Sequence, residues 1–136
     1  MKVLLDTDIL LDVALSRLEF FQQSSHVLEW AESEPGQAAV AWHSLSNIAY
    51  LVSPDARPFL SDLLKFVEVA QVNTALARQA IEMPLTDLED ALQVASAISF
   101  GASYIVTRNV RHYRRAAVTA LSPIQFLEKI QAQDKE

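Results

Sequence analysis

Along the chain, short continuous apolar runs alternate with longer stretches whose apolar residues recur every three or four positions. Val3-Leu4-Leu5 is too short and too continuously apolar for a half-exposed strand, so it predicts a strand buried on both faces and ending at Asp6. At Thr7 the period changes: Ile9, Leu10, Val13 and Ala14 stand at helical spacing, with Thr7 or Asp8 as the cap. Phe20 to Ser33 carries a second helical stripe (Phe20, Val27, Leu28, Ala31) that Pro35-Gly36 ends. Ala38 to Trp42 predicts the next buried strand, and Ser44 caps a helix turning Leu45, Ile48, Ala49 and Val52 inward until Pro54. Asp55 to Phe66 is helical again, Val67 to Val72 alternates as a third strand, and Asn73 caps a short helix to Glu82.

The clearest helix follows Pro84. Thr86 or Asp87 caps it, Leu88, Ala91, Leu92, Ala95 and Ile98 form one face, and Gly101 lies just past its end at Phe100. Tyr104-Ile105-Val106 and Val118 to Leu121 predict two more strands, and Ser122-Pro123 opens a last helix to Ile130. One domain is expected over residues 1–130, with a polar, frayed tail over 131–136. Strands alternating with helices imply βαβ units: an α/β fold in three layers, a mostly parallel sheet of about five strands with helices on both faces. In such sheets ligands bind beyond the carboxyl ends of the strands.

Composition changes this picture in two respects. With no cysteine among 136 residues, disulfides and thiolate metal sites are excluded, and no basic leader or long apolar run appears, so a cytoplasmic chain with no membrane contact is expected. The formal net charge of −6 argues against nucleic acid only if charge is evenly spread, and it is not. Of seven arginines, Arg108, Arg111, Arg114 and Arg115 lie within eight residues, which gives an acidic chain a local basic edge.

The predicted topology gathers chemistry at one place. Asp6 and Asp8 follow the first strand, Ser44 and Asn47 the second, Thr107 and Asn109 the fourth, and Asp87 and Asp90 begin a crossover helix, so all should line one edge of the sheet. Asp87 and Asp90, three apart, are expected to point together, with Glu89 facing elsewhere. Clustered carboxylates need a counter-charge, and an oxygen-only donor set selects a hard ion such as Mg²⁺ or Mn²⁺. Such an ion suits phosphodiester hydrolysis, with the four arginines holding the phosphate backbone. Taken singly, Asp87 also fits a plain helix cap and Asp8 and Asp12 a solvated face, whereas a carboxylate ending a buried strand, like Asp6, needs compensation.

The segments Val3-Leu4-Leu5-Asp6-Thr7-Asp8-Ile9-Leu10-Leu11-Asp12, Leu88-Glu89-Asp90-Ala91-Leu92-Gln93-Val94-Ala95 and Ile105-Val106-Thr107-Arg108-Asn109-Val110-Arg111-His112-Tyr113 together resemble, in order and spacing, the signatures of the PIN-domain (PilT N-terminus-like) family. The resemblance implies a metal-dependent ribonuclease acting on single-stranded RNA, similar to VapC-like toxins, commonly homodimeric and inhibited by a small antitoxin. It implies that Asp6 and Asp90 ligate the metal, that Asp87 leans in through a metal-bound water, and that Thr107 supports the site. The chain departs from the pattern at three positions. Asn47 stands where many members have a glutamate, Asn109 where many have an aspartate, and His112 where many have an acid, so each change removes negative charge and weakens the case for a second ion.

Two further readings stay open from the residues. A PIN fold with a degraded site would serve as a nucleic-acid- or protein-binding module without catalysis. Asp6-Thr7-Asp8 after an apolar strand also resembles haloacid-dehalogenase-like phosphatases, which require a later lysine, and no lysine lies between Lys65 and Lys129.

Overall fold

The computed structural model describes residues 1–134. Five strands, β1 (Val3–Leu5), β2 (Ala38–Val40), β3 (Glu68–Val69), β4 (Tyr104–Val106) and β5 (Thr119–Leu121), form one sheet in the order β3-β2-β1-β4-β5. All four pairings are parallel, with Leu4 opposite both Ala39 and Ile105. Seven helices surround the sheet: α1 (Thr7–Ala14), α2 (Phe21–Ser33), α3 (Trp42–Leu51), α4 (Arg57–Leu63), α5 (Thr74–Glu82), α6 (Leu88–Phe100) and α7 (Pro123–Asp134).

The pleat sorts the central strands between two cores, because alternate side chains point to opposite faces. Val3, Leu5, Ala38, Val40 and Val106 face α1, α2, α3 and α7, whose Ile9, Val27, Ile48 and Phe126 fill that layer. Leu4, Ala39 and Ile105 face the other way, onto Val94 and Ala97 of α6. Helix α5 packs outside α6 through Ala80, Ala91 and Ala95, small residues that let the two backbones approach. A strand covered on both sides has no use for polar alternation, which is why three successive apolar residues sufficed for β1.

Several boundaries fall elsewhere than the pattern placed them. Asp6 caps α1 instead of Thr7 or Asp8, its carboxylate accepting the Thr7 N–H at 2.7 Å. Helix α3 begins at Trp42 behind Ala41, so Ser44 lies inside the helix, fully buried, and not at its cap. Strand β3, at the edge of the sheet, shrinks to two residues, and α4 to seven. Helix α7 runs on past Ile130 to Asp134; the expected fraying of the last two residues lies outside the described ones. Asn73 caps α5, and Asp87 caps α6, as the spacing predicted. None of the helices among the described residues is long and apolar enough to cross a membrane.

The strand order decides where a site can form. From β1 the chain moves outward to β2 and β3, then returns to place β4 on the opposite side of β1. The crossovers leaving β1 and β4 therefore diverge, opening a crevice between their carboxyl ends, where Asp6 and Thr107 stand.

Candidate functional site

Asp6 sits at that divergence, 8% exposed, its backbone N–H on the Val106 carbonyl at 3.0 Å. Besides the Thr7 N–H, its carboxylate accepts the Thr107 hydroxyl at 2.8 Å and the Tyr113 hydroxyl at 2.9 Å. Three donors from three parts of the chain fix its orientation. Thr107 is wholly buried and has one proton to give, so the closer Asp6 oxygen takes it in preference to that of Asp8 at 3.3 Å. Thr107 also accepts the Asn109 N–H at 3.0 Å, which sets the loop leaving β4.

Asp8, in the first turn of α1, reaches the same loop. One of its oxygens accepts the Arg108 N–H at 3.0 Å and the Asn109 side-chain amide at 3.1 Å, while the other is buried without a hydrogen-bond partner. Burial, reinforced by repulsion from Asp6, pushes its carboxyl up to about 7, against the lowering influence of Arg108.

The N-terminus of α6 brings the remaining acids. Asp87 spends one oxygen on the Glu89 N–H at 2.8 Å. Glu89 does not face elsewhere, as its position in the sequence suggested. It lines the same cleft and accepts the Asn47 amide at 3.3 Å. Asp87 is the cap and not a helical residue, and three acids from this end of α6 line the cleft in place of two. Asp90 pairs with His112, its oxygen 3.3 Å from the imidazole Nδ1. Burial and Asp87 raise the Asp90 carboxyl, with His112 opposing, and burial with repulsion from Asp6 and Asp87 raises that of Glu89.

Together these side chains line a cleft of about 380 Å³ whose wall holds Asp6, Asp8, Asp87, Glu89 and Asp90 with Asn47, Asn109 and His112, and neither lysine nor arginine. A second, larger groove of about 450 Å³ adjoins it, sharing Asp87, Asp90 and His112 and lined by Arg111, Arg114 and Arg115. Arg108 does not line it. Its Nε bonds the wholly buried Asp12 at 2.8 Å and its guanidinium lies 3.9 Å over the Phe20 ring, so the basic edge of four arginines becomes one of three. Asp12 itself is buried and ion-paired, not on a solvated face.

Among the described residues, no three acid or histidine side chains are arranged to hold one metal ion as they stand. The donors nevertheless suit a hard cation: five carboxylates on one cleft, three of them with raised affinity for protons, and one buried oxygen of Asp8 with no partner. An ion held by two carboxylates and completed by its own waters needs no third protein ligand.

Compared with protein-family models, residues 2–111 match that of the PIN domain. The chain belongs to the PIN-domain family. PIN domains are in general nucleases that depend on a divalent metal. The fold of this PIN domain is that of solved structures at 13–19% identity: VapBC2 from Rickettsia felis bound to a DNA fragment from their promoter, 18% identical, aligns over 90% of this chain and 98% of its own at a TM-score of 0.66. A toxin–antitoxin complex from Klebsiella pneumoniae aligns over the same shares with 19% identity and a TM-score of 0.65. FitAB bound to an IR36 DNA fragment aligns over 89% and 94% with 13% identity and a TM-score of 0.59. Among curated proteins no sequence match is found.

Three residues of this PIN domain's site carried little sequence signal. Tyr113 closes a 3-10 turn (Val110–Tyr113) that has no periodicity to announce it, yet it is buried against Asp6. Burial and the nearby Asp6 hold its hydroxyl protonated, so it stays a donor. Glu89 was hidden by counting the cap as a helical position. Gln93 is fully buried and its amide reaches Thr7 at 3.1 Å, Ser44 at 3.0 Å and His43 at 3.2 Å, tying α6 to α1 and α3; a polar residue within the helix closest to the sheet was the available clue.

Proposed function

We propose that the chain is a divalent-metal-dependent endoribonuclease of single-stranded RNA in the cytoplasm, with Mg²⁺ or Mn²⁺ as the ion, and the toxin of a toxin–antitoxin pair. The observation that carries the nuclease reading is the junction of two surfaces of opposite sign: five carboxylates around one cleft, continuous with a groove bearing three arginines. The toxin assignment rests on likeness of fold to the Klebsiella pneumoniae toxin–antitoxin complex and to VapBC2 from Rickettsia felis, the latter bound to DNA; a small antitoxin and a second copy of the chain are the partners proposed with it.

In this reading Asp6 and Asp90 hold the ion, and Asp87, Glu89 and Asn109 complete its surroundings through oxygen atoms. When bound, the ion would supply positive charge for the phosphodiester and acidify a water. Thr107 and Tyr113 keep the Asp6 carboxylate oriented, and the Asn47 amide does the same for Glu89, which brings from α6 the carboxylate that α3 lacks. His112 offsets charge at Asp90. Arg111, Arg114 and Arg115 draw the RNA backbone toward the cleft, while Arg108 is withheld by Asp12.

Cleavage of an end-labelled single-stranded RNA panel with Mn²⁺ or Mg²⁺, beside EDTA and Asp90→Ala controls, tests the proposal. Cutting should vanish in both controls, and wild-type rates in Asp6→Ala or Asp90→Ala would refute the assignment. A second reading, a binding module without catalysis, is favoured by the hydrogen bonds and ion pair that already engage Asp6, Asp87 and Asp90. It predicts RNA retained in EDTA and left uncut in Mn²⁺.

A further inference from the structure

The groove beside the carboxylate cleft has features that general attraction to phosphate does not need. Arg111, in the 3-10 turn, and Arg114 and Arg115, just after it, all line this one groove and so are gathered at one place. None of the three takes part in an ion pair among the described residues, although the chain is acidic overall. Three exposed guanidiniums left together repel one another, and an anion with several oxygens relieves that repulsion while matching their planar donor forks. The opposite wall is made by exposed Pro84 and half-buried Leu85, an apolar surface at the entry to α6. Its volume of about 450 Å³ lies within the ~300–1,000 Å³ typical of small-ligand sites.

We infer that this groove binds a single nucleotide, its phosphate between Arg111, Arg114 and Arg115 and its ribose and base against Pro84 and Leu85. The location of that nucleotide beside the cut rests on the nuclease reading; the binding itself does not. The groove and the cleft share Asp87, Asp90 and His112, so a strand crossing the carboxylates can continue directly into the groove. The two acids at the seam repel a phosphate toward the arginine end, which sets the nucleotide in one position along the groove. Recognition through phosphate and an apolar wall carries no hydrogen-bond code for the base, so the subsite tolerates all four and requires only that the base be unpaired.

The test is a titration of the whole chain with the 5′-phosphorylated dinucleotide pUpU in EDTA, followed by NMR signals of the arginine Nε–H groups and the Leu85 methyls. Saturable shifts are expected at Arg111, Arg114, Arg115 and Leu85, with affinity falling at least tenfold in the Arg114→Ala/Arg115→Ala variant, whose exposed positions leave the fold intact. Inorganic phosphate alone, or a tetraglutamate peptide, should bind at least tenfold more weakly than pUpU. Equal affinity for phosphate would overturn the nucleotide assignment, and tighter binding of the peptide would make the groove a docking place for an acidic protein segment. Binding of pUpU without RNA cleavage in Mn²⁺ upholds the subsite and sinks the nuclease reading; cleavage without saturable shifts at these four residues sinks the subsite alone.

Discussion

A carboxylate with no exposure has to be met by charge, and Asp12 is met by Arg108 at 2.8 Å and by the Ser24 hydroxyl at 2.9 Å. Removing Arg108 leaves that buried charge with only the longer ion pair to Arg17 at 3.6 Å, so Arg108→Ala should cost about 2 kcal/mol of stability, against at most ~0.5 kcal/mol for Arg115→Ala on the surface. Urea denaturation of both variants decides this; similar losses would mean that Arg108 is not the partner of Asp12. Asp8 presents the opposite case, a half-buried acid whose carboxyl is pushed up to about 7 from an ordinary 3.8. The folded state then binds a proton that the unfolded state has released, so stability declines as pH rises from about 4 to about 7 and the penalty is constant above. Asp8→Asn removes the titration while keeping one acceptor for the Arg108 N–H. Metal-free, it should be more stable than wild type by about 1–2 kcal/mol at pH 8, the value discounted for solvent access, and close to wild type at pH 4.5. A gain that is the same at both pH values would show that Asp8 is not the titrating group.

At the scale of elements, what the sequence announced were interiors and punctuation. The β1 run, the stripe of α6, the stop at Gly101 and the start at Ser122-Pro123 are local properties, readable because they arise from period and backbone preference. Gly101 has a φ of 77° with nothing within 4 Å of an added Cβ, so Gly101→Ala is opposed by backbone strain alone and should cost about 1 kcal/mol. Ser122 and Gln125 cap α7 reciprocally at 3.1 and 2.9 Å, and Ser122→Ala should cost a similar ~1 kcal/mol. Thermal unfolding of the two variants checks both values, and a neutral Ser122→Ala would mean that the cap is satisfied by water. Harder to foresee were features fixed by contacts between elements. Ser44 reads as a cap until Gln93 and Thr7, from two other helices, claim its hydroxyl. Glu89 reads as a solvated acid until Asn47 from α3 faces it. Arg108 reads as one of four equivalent cations until Asp12, far off in sequence, takes it out of the basic edge. The gathering of Asp6, Asp90 and Asn109 was legible from connectivity, since a parallel sheet brings strand ends and crossover helix starts to one side. The pairing order that puts β4 beside β1 was not, because it is set by contacts between strands far apart in sequence and not by any local pattern.

For the whole molecule, the fold concentrates repulsion at one edge and holds it there with hydrogen bonds. Burial raises the proton affinity of Asp8, Glu89 and Asp90, with Asp6 adding to it at Asp8 and Glu89 and Asp87 at Glu89 and Asp90, so the metal-free fold carries an electrostatic penalty at neutral pH that a divalent ion would reduce. An ion binding only the folded state stabilises it by about 2.7 kcal/mol at a hundredfold excess over its Kd, which for a chain of this length is an upward Tm shift of roughly 8–12 °C. Thermal unfolding at pH 8 in EDTA and in Mn²⁺ should therefore differ by that order. Asp90→Asn should both raise the midpoint in EDTA, by relieving repulsion with Asp87, and lose most of the response to Mn²⁺. Asp55→Asn, at an exposed pair with Arg57 away from the cleft, should respond as wild type does. The two changes expected of Asp90→Asn have opposite signs and one origin, since a side chain that only supported the fold would lower the midpoint in EDTA and leave the Mn²⁺ response alone. A variant behaving in that second way would exclude Asp90 as a ligand, and no Mn²⁺ response in the wild type would leave the carboxylate edge without the ion on which the nuclease reading depends.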